Sequence, residues 1–238
     1  MRLEGKVAII TGASRGIGEA IALTFAKERA KIVIASRNDN DLKAVENELE
    51  LLGSEYLAIP TDVTKEDDVN RLITETKNKF GKIDILVNNA GIGLFKPILD
   101  ITLNEWNEVM NVNATGTFLC TKAVLPVMLH HGSGWIVNIC SDASRRTFVN
   151  GSLYCASKHA QYAFSEAVNR EVQKKGIHVG SILPGNVDTC FNGSVQGAED
   201  KQWMIKAQDI ANAALFMVTQ PDNIVINEIV VHPVMQNY

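Results

Sequence analysis

Short apolar runs alternate along this chain with longer stretches in which apolar residues recur every third or fourth position. Val7, Ala8, Ile9 and Ile10 form the first run, unbroken by polar residues, as suits a strand buried on both faces of a parallel sheet. From Ile17 onward the spacing changes: Ile17, Ala20, Ile21 and Phe25 fall on one face of a helix. The same alternation continues. Lys31–Ser36, Tyr56–Pro60, Ile83–Val87, Trp135–Cys140, Ile177–Leu183 and Asn223–Val231 read as strands, and Asp39–Leu52, Thr64–Phe80, Leu103–His130, Tyr154–Lys175 and Asp209–Thr219 as helices. Strands that alternate with helices in this way predict an α/β architecture with a parallel sheet covered on both faces.

The punctuation agrees with these spans. Gly53, Gly81 and Gly176 follow predicted helix ends, where a left-handed cap favours glycine. Thr64 and Asp67 have the spacing of a capping box, and Pro126 is expected to bend or interrupt the last turn of its helix. Residues 186–208 are rich in Gly and Asn with little periodicity, and read as a loop with short helical turns. No change of composition marks a linker and no repeat is visible. The expectation is a single Rossmann-type, doubly wound domain over 1–238, with about seven strands and a substrate loop at about 188–208.

Composition narrows the partners. The 238 residues are 46% hydrophobic and 21% charged, with a formal net charge of −4 and no basic block, so a nucleic-acid partner has no electrostatic support. No apolar run reaches the ~18 residues of a membrane helix. The opening MRLEGKVAIITG enters a strand at once, without the apolar region of a signal peptide. Cys120, Cys140, Cys155 and Cys190 show no C-x-x-C pair, which suits free thiols in a cytoplasmic protein. The five histidines do not cluster with carboxylates at ligand spacing, so no metal is expected.

The chemistry begins where the first strand turns into the first helix, at Thr11-Gly12-Ala13-Ser14-Arg15-Gly16-Ile17-Gly18. Such a cluster also suits an ordinary turn, but here it opens a helix whose unpaired N–H groups and dipole attract anions. Gly12 allows the turn, Gly16 lets a pyrophosphate approach the backbone, and Gly18 permits close packing of helix on strand. About twenty residues on, Ser36 and Arg37 stand where an NAD enzyme carries a carboxylate for the ribose 2′-hydroxyl. With Arg15 in the turn itself, two guanidiniums suit the 2′-phosphate of NADP(H), although two exposed surface arginines are the plain alternative. Asp39 and Asp41 follow as loop-shaping or capping residues. Asp62 is placed to accept from an adenine amino group while Val63 presents backbone. Asn88-Asn89-Ala90-Gly91 lets the central strand end pass close to a ribose.

Tyr154 and Lys158, at i and i+4, share one face of a helix. An ammonium beside a phenol favours the phenolate, and such a phenol exchanges a proton with a carbonyl or alcohol oxygen. The pair is common by chance on amphipathic helices. Its context is Ser141, at the end of the fifth predicted strand, and Asn113 in Asn111-Val112-Asn113-Ala114-Thr115-Gly116.

Taken in order, TGASRGIG, the Asp62-Val63 pair, NNAG, VNATG, Ser141, YCASK and PGNVDT resemble the short-chain dehydrogenase/reductase family over residues 6–189. The resemblance implies NADP(H)-dependent interconversion of a carbonyl and an alcohol. In it Tyr154 is the general acid/base, Lys158 tunes it and bonds the nicotinamide ribose, and Ser141 orients the carbonyl. Asn113 anchors a water-mediated proton path to the lysine. It further implies that Pro184, Gly185, Val187 and Thr189 hold the nicotinamide carboxamide, and that the chain forms a homotetramer or homodimer through the helices from about 103 and 154 and the last strand.

The tail, Asn227 to Gln236, lacks the glycine pair of the ketoacyl reductases and is more similar to serine or 3-hydroxy-acid dehydrogenases and broad alcohol dehydrogenases of the family. A 3-oxoacyl thioester reductase and a non-catalytic NADP-binding regulator are the alternatives. Phe191, Trp203 and Met204 are placed to line an apolar pocket, Asp142 to meet substrate or cap a turn, and Arg145 and Arg146 to lie in solvent or to meet an anionic substrate.

Overall fold

The structure is a computed structural model that describes residues 1–236. Its strands are β1 (Val7–Thr11), β2 (Lys31–Ser36), β3 (Tyr56–Pro60), β4 (Ile85–Asn88), β5 (Gly134–Ile139), β6 (Ile177–Pro184), β7 (Val187–Asp188), β8 (Ile205–Lys206) and β9 (Glu228–Val231). Its α-helices are α1 (Gly16–Lys27), α2 (Asp39–Leu51), α3 (Glu66–Phe80), α4 (Leu103–Met110), α5 (Gly116–His131), α6 (Ser152–Val172) and α7 (Ala207–Val218). Seven strands pair in the order β3-β2-β1-β4-β5-β6-β9, every pair parallel. The doubly wound sheet read from the pattern is therefore present.

Alternate residues of the strands serve opposite faces, because strand side chains alternate. Ala8 and Ile10 of β1, with Ile32 and Ile34 of β2, pack against Ile21 and Phe25 of α1, Leu42 and Val45 of α2, and Ile210 and Ala214 of α7. Ile9 and Val33 face the other way, onto Val69 and Leu72 of α3, Val124 of α5 and Val168 of α6. Chain order reverses between β1 and β4, and the carboxyl ends of the strands diverge there into a crevice.

Several boundaries differ from the sequence reading. Thr64 does not open α3: the helix begins at Glu66, and Thr64 instead bonds the Asp62 carboxylate through its N–H and hydroxyl, at 3.0 and 2.7 Å. A capping box does precede α4, where Thr102 and Glu105 satisfy each other's backbone N–H groups. The long helix from Leu103 is divided by a π-turn over Asn111–Thr115, and Pro126 does not end it, since α5 runs on to His131. By length and apolar content the whole of Leu103–His131 equals a membrane-crossing helix, unlike the uninterrupted runs considered above. Its buried residues, Leu119, Cys120, Val124 and Met128, are spent on the sheet. The last strand starts only at Glu228, and β7 and β8 form a small parallel pair bracketing the 188–206 loop.

Candidate active site

A cleft of about 1100 Å³ opens at the carboxyl ends of the strands. Gly12, Ser14, Arg15, Gly16 and Ile17 from the β1–α1 turn line one part of it, with Ser36 and Arg37 from the end of β2. The N-cap of α1 is Arg15, whose side chain makes no cap; Glu19 meets the Gly16 N–H from the first turn, and Gly16 and Ile17 border the cleft. Arg15 and Arg37 both border the cleft, and Arg37 also helps hold the Asp62 carboxyl below its ordinary range. That donor set fits a dinucleotide carrying an additional phosphate.

The turn is tied to the neighbouring strand. Asn89 Nδ2 donates to the carbonyls of Thr11 and Gly12 at 3.0 and 2.9 Å, and Thr11 Oγ1 accepts from the N–H groups of Asn89 and Ala90. Glycine is required at Gly12, which has φ +61° and whose missing Cβ would lie 2.8 Å from Ala90 Cα. Gly18 does not line the cleft; a Cβ there would meet the Gly12 carbonyl at 2.4 Å, so it serves the close packing assigned to it. Val63, Asn89, Ala90, Gly91, Pro184, Gly185, Val187 and Thr189 all border the cleft.

Asp62 does not. Its carboxylate is turned back onto Thr64, and Thr61 takes its place in the lining. The adenine contact expected of Asp62 is therefore not supported by this geometry.

Tyr154, Lys158 and Ser141 meet along the wall of the same cleft. Tyr154 and Lys158 are buried on one face of α6, and the phenol meets the hydroxyl of Ser141. Ser141 Oγ donates to Asp142 Oδ1 at 3.1 Å and accepts from Ala143 N at 3.2 Å, capping the short turn after β5. Burial pushes the Tyr154 phenol well above its ordinary range; the Ser141 hydroxyl opposes this and the Asp142 carboxylate adds to it. Burial also lowers the Lys158 ammonium to about 8. Burial thus governs the phenol and moves it in the direction opposite to that expected from Lys158. The ammonium is directed elsewhere, donating to the Ile139 carbonyl at 3.0 Å and to Gln161 Oε1 at 2.8 Å.

Asn113 sits in the π-turn rather than in the cleft wall. Its side chain accepts from Ile92 N and donates to Ile92 O and Ser157 Oγ, each at 2.9 Å. Its carbonyl accepts from Thr117 Oγ1 at 2.9 Å, Thr117 Oγ1 accepts from Gln161 Nε2 at 2.9 Å, and Gln161 accepts from Lys158. Two side chains, Thr117 and Gln161, therefore run from the Asn113 backbone carbonyl to the lysine. Gln161 had a sequence signal, lying three residues past Lys158 on the same helical face; Thr117 had none.

Other expectations change too. Trp203 is not in the cleft wall, whereas Phe191 and Met204 are. Arg145 does not lie free in solvent: it pairs with Glu228 of β9 at 2.6 Å and donates to Tyr162. Asp142 borders the cleft and is held from the C-terminal tail, where Gln236 Nε2 donates to its Oδ2 at 2.6 Å while Gln236 Oε1 accepts from Asn186 N at 2.8 Å. Nothing in the sequence pointed to Gln236.

Comparison with known proteins agrees with this geometry. Residues 6–200 match the family model described as short chain dehydrogenase. An uncharacterized oxidoreductase of Staphylococcus aureus is 39% identical over 232 residues, covering 98% of this chain and 99% of the relative. An alcohol dehydrogenase from the archaeon Thermococcus sibiricus, solved with 5-hydroxy-NADP, superposes with a TM-score of 0.92 at 32% identity over 98% of each chain. A metagenomic short-chain oxidoreductase solved with NADP gives 0.87 at 31% identity, covering 99% of this chain and 100% of the other. A parallel seven-stranded sheet, a glycine turn at its switch point and the motif order along the chain have one common explanation: this chain belongs to the short-chain dehydrogenase/reductase family of oxidoreductases.

Proposed function

We propose that this chain is an NADP(H)-dependent oxidoreductase that interconverts a carbonyl with a primary or secondary alcohol, with Tyr154 as general acid/base. One observation carries the proposal. The Tyr154 phenol, the Ser141 hydroxyl and Lys158 line the same cleft into which the α1 N-terminus opens. Burial keeps Tyr154 protonated at neutral pH, so its O–H is available to a carbonyl oxygen during reduction, and the reverse reaction returns a proton to it. Ser141 orients that oxygen, and Lys158 is held in place by Ile139 and Gln161. Asn113 anchors the far end of the Gln161–Thr117 chain. A bound nicotinamide supplies or accepts the hydride.

Arg15 and Arg37 favour NADP(H) through the 2′-phosphate, with Ser36 beside them. The NADP-type ligands named for the two solved relatives support the same choice. Pro184, Gly185, Val187 and Thr189 border the end of the cleft nearest β6. Exposed apolar residues on α5 and β9, Phe118, Leu129 and Val230, support assembly into a homodimer or homotetramer. The four free thiols support a reducing, cytoplasmic setting.

The test is NADPH oxidation, followed by absorbance, against aldehydes, ketones, ketoacyl thioesters and oxo-acids, repeated with NADH. Turnover of part of this panel with NADPH is expected. Binding of NADPH without turnover of any member would favour a regulatory role.

A further inference from the structure

Three phenylalanines from separate parts of the chain gather around Tyr154. The Phe95 ring stands edge-on to Tyr154 with centroids 5.3 Å apart and touches Phe148 at 5.6 Å, while Phe191 approaches Tyr154 from the 188–206 loop at 6.1 Å. All three border the cleft, and they remain 41%, 48% and 38% exposed. Large rings left partly bare around a reactive hydroxyl are a surface with apolar area still to bury. Two glycines make room for them. A Cβ at Gly93 would lie 2.8 Å from Phe191 and 3.1 Å from Phe95, and one at Gly151 would lie 2.5 Å from Phe148.

Two charges stand near the phenol: the Lys158 ammonium one helical turn away and the Asp142 carboxylate beside Ser141, which His232 Nε2 approaches at 3.9 Å. Asp142 lies next to Ser141 and is fixed by Gln236 and Ser141. Among the described lining residues the cations are Lys158, already engaged with two carbonyl oxygens, and Arg15 and Arg37. Arg37 follows β2, three strands from β5, which leads to Ser141. At ~4.8 Å per strand that is a lateral offset of about 14 Å, too far to serve an anion held at the phenol.

We propose that the reacting end of this cleft selects uncharged carbonyl compounds bearing an aryl-sized apolar group, and discriminates against carboxylate substrates. This rests on the carbonyl chemistry assigned to Tyr154. The proposal departs from the 3-hydroxy-acid similarity of the tail, because an oxo-acid would bring its carboxylate toward Asp142, where the Lys158 ammonium is already held by Ile139 and Gln161.

The test titrates the NADP-loaded protein by calorimetry with methyl benzoylformate, benzoylformate and acetone, and reads NADPH oxidation on the same compounds. The ester and the acid share the aryl ketone and differ in charge beside the reacting carbonyl. The ester is expected to bind about 20-fold tighter than the acid, as a charge met at intermediate dielectric requires, and also tighter than acetone. Asp142→Asn is expected to narrow the ester-to-acid ratio. Phe148→Ala is expected to weaken the ester by about tenfold, the scale of one aromatic contact. Acid binding as tight as the ester, or acetone binding as tight as either, overturns the proposal. Preferential binding of the ester without its reduction would instead refute the carbonyl chemistry and leave the ligand class standing.

Discussion

Lys158 Nζ donates to Gln161 Oε1 at 2.8 Å, and both residues are buried where α6 backs the cleft. The ammonium has no carboxylate beside it, only this amide oxygen and the Ile139 carbonyl. A lysine in that position is held by oriented dipoles rather than by a counter-charge, and its proton is weakly bound.

The consequence is a pH-dependent stability with an unusual sign. Burial places the folded-state pKa of Lys158 near 8, below the 10.5 of a free lysine. Below about 8 both folded and unfolded chains carry the proton, and the buried charge costs the fold its full penalty. Between about 8 and 10.5 only the unfolded chain still holds it, so this group makes the fold more stable as pH rises, by up to roughly 3 kcal/mol. Urea unfolding at pH 7 and pH 10 should show Lys158→Met losing that gain, and Gln161→Leu moving its onset to lower pH. An unchanged pH slope in Lys158→Met would mean that the lysine is not the titrating group.

Tyr154→Phe should leave NADPH affinity intact and reduce turnover by about 10²–10⁴-fold, the usual worth of a positioned proton donor. The ring contacts with Phe95 and Phe191 do not depend on the hydroxyl. Near-normal turnover in stopped-flow assays would show that the proton comes from another group.

Arg37→Asp should move cofactor preference toward NADH. The substitution removes one charged donor from the phosphate end of the cleft and places a carboxylate at the end of β2, where it can accept from a ribose hydroxyl. A change of about ten- to a hundredfold in the NADPH-to-NADH efficiency ratio matches one charge-assisted hydrogen bond. A constant ratio would remove Arg37 from the phosphate contacts.

Gln236 clasps Asp142 on one side of the cleft and the Asn186 backbone on the other. Gln236→Glu sets two carboxylates against each other in that clasp and should raise the KM for substrate, with a loss of about 1–3 kcal/mol in unfolding free energy. Gln236→Ala should show the milder form. If Gln236→Glu matched the parent protein in both KM and urea midpoint, the tail would have no hold on the site.

Much of this molecule is legible in its sequence, wherever the constraint is local. Gly12, between β1 and α1, and Gly18, in the first turn of α1, flank a junction that announces itself by its periodicity, and Tyr154 and Lys158 share a face because a helix repeats every 3.6 residues. The buried runs around Ile9 and Ile34 required a sheet covered on both sides.

What tertiary structure alone decided were partnerships between residues distant in the chain. Asp142 meets Gln236 across 94 positions, Tyr162 meets Glu228 across 66, and Phe95, Phe148 and Phe191 come together from three different loops. Asp62 is the local exception: its carboxylate accepts from Thr64, two positions on, because a short polar side chain takes a donor its own loop brings within reach. Periodicity specifies which face of an element is buried. Only packing decides which side chain waits on the other side of the gap.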